Sequence, residues 1–250
     1  MKRVIIFIFL LTHFLPAITS NDIFGRFSDN LKKIKSIKAD MEIEIKQGEN
    51  YNFLKIKYIN KGDKTFMKAP PPGSFTLVSN GKSAFFYIPR TKTVYLYDPS
   101  DKNLQYKDPV NEQKKFYKGL RDIKKVGDKF LGWKKVEVFE AKPGDRSRFI
   151  SKFLIWTDVK NGMLYKLETF DMNGKITSRI EFKKYKRFGD IWLSLQTLNW
   201  SKSDLLVTRT KSLLKNVKIN EKIDDSIFNF KAPKGSKIKD YTNKILSGGK

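Results

Sequence analysis

Apolar residues along this chain change their period twice, and each change marks a boundary. Residues 4–15 form a mostly apolar run behind Lys2 and Arg3, followed by Pro16 and the small residues Ala17, Thr19 and Ser20. A charged start, a short apolar middle and a small-residue end predict a secretory signal peptide over residues 1–20. The run is about a dozen residues, short of the roughly 20 that a spanning helix needs. After it, Ile23, Phe27, Leu31, Ile34 and Ile37 recur at spacings of three and four, with Lys32, Lys33, Lys35 and Lys38 filling much of the rest. That spacing predicts an amphipathic helix. The period then drops to two. Met41, Ile43 and Ile45 alternate with Glu42, Glu44 and Lys46, so one strand face is buried and the other wet.

From there to about residue 219 the pattern reads as strands. Asn80-Gly81, Asn161-Gly162 and Asn173-Gly174 supply the positive φ values of tight hairpin turns. Segments 75–79 and 83–88 flank the first; 149–157, 163–171 and 175–185 flank the other two. Further strand candidates are 51–60, 64–69, 93–98, 133–141, 190–200 and 204–219. The reading is an antiparallel sheet of about eleven strands, mostly sequential neighbours, strongly curved or nearly closed. Residues 99–130 interrupt it: they are rich in Lys and Asp, and Phe116, Leu120, Ile123 and Val126 have helix-compatible spacing. Such an insertion reads as a helical lid or as a solvated loop. The organisation predicted is a signal peptide (1–20), one domain (21–240) and a flexible tail (241–250).

Composition narrows the chemistry. The chain has 51 Lys and Arg against 26 Asp and Glu, a net charge of +25. Nine of the cations are arginine, and a nucleic-acid reader would lean more heavily on that residue. No nucleic-acid partner is therefore expected. Two readings of the charge stay open: a lysine-rich solvated surface, or attraction to an anionic membrane or acidic clients. Cysteine is absent and the single histidine, His13, lies in the signal segment. Imidazole triads, thiol nucleophiles and His- or Cys-ligated metal sites are thus excluded from the exported chain, as are disulfides and an acylated N-terminal cysteine. Asp158, Glu168, Asp171 and Asp190 are the carboxylates available for paired acid–base work. Asp158 and Asp171, though, sit beside Asn-Gly turns, where Asp serves turn hydrogen bonds. The expectation is a non-enzyme without metal or cofactor.

Large apolar side chains crowd strands with weak alternation, as in Ala84-Phe85-Phe86-Tyr87-Ile88, Phe153-Leu154-Ile155-Trp156 and Ile191-Trp192-Leu193. Both faces of such strands need cover. Five stretches resemble, in the same order, the LolA family of periplasmic carriers of outer-membrane lipoproteins. They are the Leu31–Asp40 helix-to-strand passage; Leu77-Val78-Ser79-Asn80-Gly81-Lys82 with Phe85-Phe86-Tyr87-Ile88-Pro89; Ile155-Trp156-Thr157-Asp158; Phe170-Asp171-Met172-Asn173-Gly174-Lys175; and the closing Phe228-Asn229-Phe230-Lys231-Ala232-Pro233-Lys234-Gly235.

The resemblance implies an incompletely closed β-barrel with an N-terminal helix and helical lid over an apolar cavity for lipoprotein acyl chains. It also implies a periplasmic chaperone, monomeric, working between an inner-membrane releasing complex and an outer-membrane receptor, with transient contact to the membrane surface. Envelope-stress sensors of the same fold and carriers of other lipids are the alternatives. The expected lining is Phe66, Phe75, Leu77, Phe86, Ile88, Phe153, Ile155, Leu167, Ile180 and Leu193, with Ile23 and Phe27 from the helix. Phe116 and Leu120 are the lid candidates. Aligned without gaps from Ser79–Lys82, the family's lid-latching arginine falls on Phe66, whereas Lys64 and Pro72 match.

Overall fold

The computed structural model describes residues 20–98, 120–144, 149–203 and 206–242, without the side chains of residues 20–24. Helix α1 (Ser20–Lys32) precedes fourteen strands: β1 (Ser36–Gln47), β2 (Asn50–Lys61), β3 (Lys64–Ala69), β4 (Phe75–Ser79), β5 (Ala84–Ile88), β6 (Thr93–Tyr97), β7 (Arg121–Leu131), β8 (Lys134–Lys142), β9 (Ile150–Asp158), β10 (Met163–Asp171), β11 (Ile176–Phe188), β12 (Ile191–Lys202), β13 (Val207–Ile219) and β14 (Lys237–Asp240). All join one sheet in the order β14-β6-β5-β4-β3-β2-β1-β13-β12-β11-β10-β9-β8-β7. Every pairing is antiparallel except that of β14 with β6. The sheet curves but does not close, because β14 and β7 remain its edges.

Fourteen strands replace the eleven or so expected. The additional strands are β14, which the alternation does not mark, and β7, which lies within the insertion expected over 99–130. Ile123 and Val126 lie on that strand, not on a helix. The rest of the proposed lid, residues 99–119 with Phe116, lies outside the described residues. Four two-residue hairpin loops open on a glycine with positive φ, at Gly48, Gly62, Gly132 and Gly189. Glycine in the first loop position is the type II′ arrangement, whose twist suits paired strands.

Helix α1 covers part of one face, called inner here. Phe27 and Leu31 pack with Leu120, Phe139, Ala141, Phe153, Ile155, Leu164, Leu167 and Phe182. Its C-terminal half is pinned to turns at one end of the sheet: Arg26 Nη1 donates to Lys160 O (2.9 Å), and Asn30 Nδ2 to Asn161 O (3.2 Å). Lys33 pairs with Asp190 at 2.6 Å. Beyond the helix, Asn220 Oδ1 accepts from the backbone of Lys35 (2.8 Å) and Ser36 (3.3 Å), while its Nδ2 donates to Lys33 O (2.9 Å). The passage from helix to β1 is thereby tied to the end of β13.

On the outer face, two smaller clusters form. Ile59, Val78 and Phe228 are buried together, with Phe66, Ile223, Ile227 and Phe230 packed around them. Phe85 stacks on Phe230 with ring centroids 5.0 Å apart. The chain after β13 therefore crosses the backs of β2–β5 before β14 joins β6. Val136, Val138 and Trp156 form the second cluster, and Lys166 Nζ lies 3.6 Å from the centre of a Trp156 ring.

Candidate functional site

Cross-strand register shows which side chains share the inner face. One row runs Phe182–Thr197–Ser212–Ile43–Leu54 across β11, β12, β13, β1 and β2. It links the cluster under α1 to a second one of Ile37, Met41, Ile56, Tyr58, Met67, Ala69 and Leu77. Against this second cluster pack Ile43, Leu54, Phe75, Phe86, Leu193, Leu214 and Val217, all only half-buried. Phe75 and Phe86 approach to 5.4 Å between ring centroids. Ile34, just past the helix, touches both clusters. The inner face thus has a covered, filled half and a half whose large apolar side chains keep accessible surface. Thr197 and Ser212 make a polar seam between them.

The residues named from sequence distribute as follows. Phe27, Phe153, Ile155, Leu167 and Ile180 belong to the helix-covered cluster. Phe75, Leu77, Phe86 and Leu193 belong to the other. Ile88 shares Phe86's side of β5 by alternation, and the side chain of Ile23 lies outside the described residues. Leu120 is 7% exposed and packs with Phe27 and Leu31. Phe66 points the other way, into the outer cluster around Phe228. Its neighbours Met67 and Ala69 are the inward pair of β3, and a one-residue shift reverses every side chain. Lys64 shares Phe66's parity and lies 3.3 Å from Asp225 on the outer side. Sequence reasoning passed over Leu54, Met67 and Leu214, although the 54–56–58 alternation carried the signal for the first.

The carboxylates considered for catalysis are each engaged locally. Asp158 accepts from the Asn161 backbone (3.0 Å) and side chain (2.8 Å). Burial pushes its carboxyl up, but those bonds and the Lys134 ammonium outweigh it and hold the group below the usual range. Asp171 accepts from the backbone of Asn173 (2.9 Å) and Lys175 (2.8 Å). Glu168, with a side chain 6% exposed, holds Arg179 Nε at 2.7 Å and Lys166 at 3.3 Å. The hydrogen bond from Lys33 holds Asp190 below its ordinary value. Among the described residues no His, Cys, Asp or Glu cluster forms a metal site, and no helix is long and apolar enough to cross a membrane.

Solved structures share this architecture at low identity. A DUF1329 family protein from Desulfovibrio piger superposes with a TM-score of 0.60 at 15% identity, covering 84% of this chain and 95% of that one. A domain assigned to outer membrane lipoprotein sorting from Vibrio parahaemolyticus gives 0.58 at 16%, covering 84% and 97%. A LolA superfamily protein from Nitrosomonas europaea gives 0.55 at 14%, covering 85% and 98%. No curated protein matches the sequence. A family model described as an uncharacterized protein matches residues 61–232. The chain therefore belongs to that family, and its fold is the LolA-like one.

Proposed function

We propose that the protein is a periplasmic carrier that shields lipoprotein acyl chains on its inner face during transport to the outer membrane. One observation carries the reading: Ile43, Leu54, Phe75, Phe86, Leu193 and Leu214 form a half-buried apolar stretch continuous with the core. Each acyl CH₂ left in water costs about 0.8 kcal/mol, so a multi-chain anchor exposes on the order of tens of kcal/mol. A sheltered apolar face offsets that cost, and loose contacts permit release. The seam hydroxyls of Thr197 and Ser212 suit the ester and amide groups that join acyl chains to a peptide. Export through a cleaved signal and exchange with an inner-membrane donor and outer-membrane receptor belong to the same proposal.

The test is direct. The protein is purified without detergent and its bound lipid identified by mass spectrometry, then titrated with a synthetic acylated peptide. Binding of that peptide is expected to fall at least tenfold in Phe86→Asp and to change less than twofold when Lys57 and Lys68 are neutralised. Equal losses from both changes, or an empty protein that refuses the peptide, would end the carrier reading.

A further inference from the structure

We propose a second binding site, for a single-chain amphiphile with an anionic head, on the outer face where β11, β12, β13, β1 and β2 run side by side. Two adjacent cross-strand rows build it. The first is Arg179–Trp200–Arg209–Lys46–Tyr51, and the second is Glu181–Leu198–Lys211–Glu44. Both lie opposite the inner row Ile180–Asn199–Thr210–Ile45, since Ile180 packs with the helix-covered cluster. A groove of about 670 Å³ follows these rows. That size suits a small ligand, which typically fills roughly 300–1,000 Å³.

The charges decide what the groove takes. Arg179 is held by Glu168 at 2.7 Å, Lys211 by Glu44 at 2.7 Å, and Glu181 by Lys183 at 2.7 Å. Lys46 and Arg209 have no carboxylate partner among the described residues, yet they stand directly opposite each other on β1 and β13. Like charges facing across strands repel. Lys38 also faces Lys218 on these strands, but Lys218 has Glu221 at 3.3 Å; Lys211 instead faces Glu44, and Lys215 reaches Glu42 at 2.7 Å. An anion between Lys46 and Arg209 would turn the repulsion into attraction. Beside them the groove offers Trp200, Leu198 and Ile176, all half-buried, with Tyr51, 61% exposed, on its rim. Two cations without a carboxylate partner among the described residues, next to an apolar, aromatic floor, match a carboxylate or phosphate carrying one hydrocarbon chain. The site does not depend on the inner-face reading, because its side chains point to the other side of the sheet.

The full chain is titrated with dodecyl phosphate, laurate and the zwitterionic dodecylphosphocholine, each below its micelle concentration, with tryptophan fluorescence and calorimetry as readouts. Expected are tighter binding of the two anionic probes than of the zwitterion, and at least a tenfold loss for those two in Lys46→Glu/Arg209→Glu. Comparing the two anionic probes separates a phosphate head from a carboxylate. Trp200→Phe should remove most of the fluorescence response. Phe86→Asp on the inner face should leave anionic binding within twofold, which distinguishes failure here from failure of the carrier reading. Equal affinity for dodecylphosphocholine, indifference to the double charge reversal, or an equal loss in Phe86→Asp would each overturn the proposal. So would dependence on Lys46 and Arg209 only for sedimentation with anionic vesicles, which would make this face a membrane contact.

Discussion

Gly162 joins helix and sheet more tightly than any side chain would allow. Its φ is +61°, and an added Cβ would lie 2.9 Å from the backbone carbon and oxygen of Arg26 and 3.0 Å from Asn30 Nδ2. Gly162→Ala is therefore expected to destabilise the fold by about 1–3 kcal/mol in chemical denaturation. Gly174→Ala shares the positive φ but has open space around it, so it should cost less. A reversed order would show that α1 does not rest on the Lys160–Gly162 turn. Sequence announced the turn through its Asn-Gly pair, but the close approach of a helix 130 residues away had no local signature. Phe66 shows the opposite limit. Strand β3 carries large apolar side chains on opposite faces, Met67 inside and Phe66 outside between Lys64 and Lys68, and the outer one is covered by a segment about 160 residues later in the chain.

At the scale of elements, the chain after β13 acts as a clasp. Phe228 is 1% exposed among Ile59, Val78, Phe66 and Phe230, and Asp225 binds Lys61 at 2.9 Å. Phe228→Ala should cost about 3–5 kcal/mol, the usual range for a buried phenylalanine. A denaturation midpoint within error of the parent would mean the clasp is dispensable. The closing Phe-x-Phe-x-x-Pro-x-Gly stretch was visible from sequence, but its position behind β2–β5 was not, because that packing is long-range. β7 escapes the strand pattern for a physical reason. As an edge strand it is largely exposed and rich in Lys and Asp, so it lacks the apolar alternation that marks buried strands. Register shifts and Lys124, Lys125 and Lys129 also make it a poor template for pairing with another sheet.

For the molecule as a whole, the absence of histidine and cysteine after residue 13 governs its response to pH. Beyond His13 no side chain of ordinary pKa titrates between about pH 5.5 and 8, so the stability of the fold from α1 onward should be nearly constant across that interval. On the acid side, hydrogen bonds from Lys152 and Lys124 hold Glu140 low, and hydrogen bonds from Lys125 and Lys135 do the same for Asp128. Asp158 is held low as well. Because their folded values lie below the unfolded ones, their contribution is complete above roughly pH 4–4.5 and disappears as pH falls through the folded values. On the alkaline side, the hydrogen bonds that Lys125 donates to Asp128 and Glu137 raise its ammonium above the ordinary value. Its contribution is present below roughly pH 10.4 and is lost as pH climbs through the raised folded value. Thermal melts from pH 3 to 11 should trace a plateau with two shoulders; a transition near pH 6.5 would contradict this account.

The two unjoined margins, β14 and β7, bear on how such a body holds anything. A closed cylinder has its bore set by strand number and shear, so widening it means breaking ladder hydrogen bonds. Here the margins can part or approach by changes of twist while every ladder stays intact. In the carrier proposed above, such a body would work as a cuff and not a pipe, its grip adjusting to the girth of the cargo without loss of a ladder hydrogen bond.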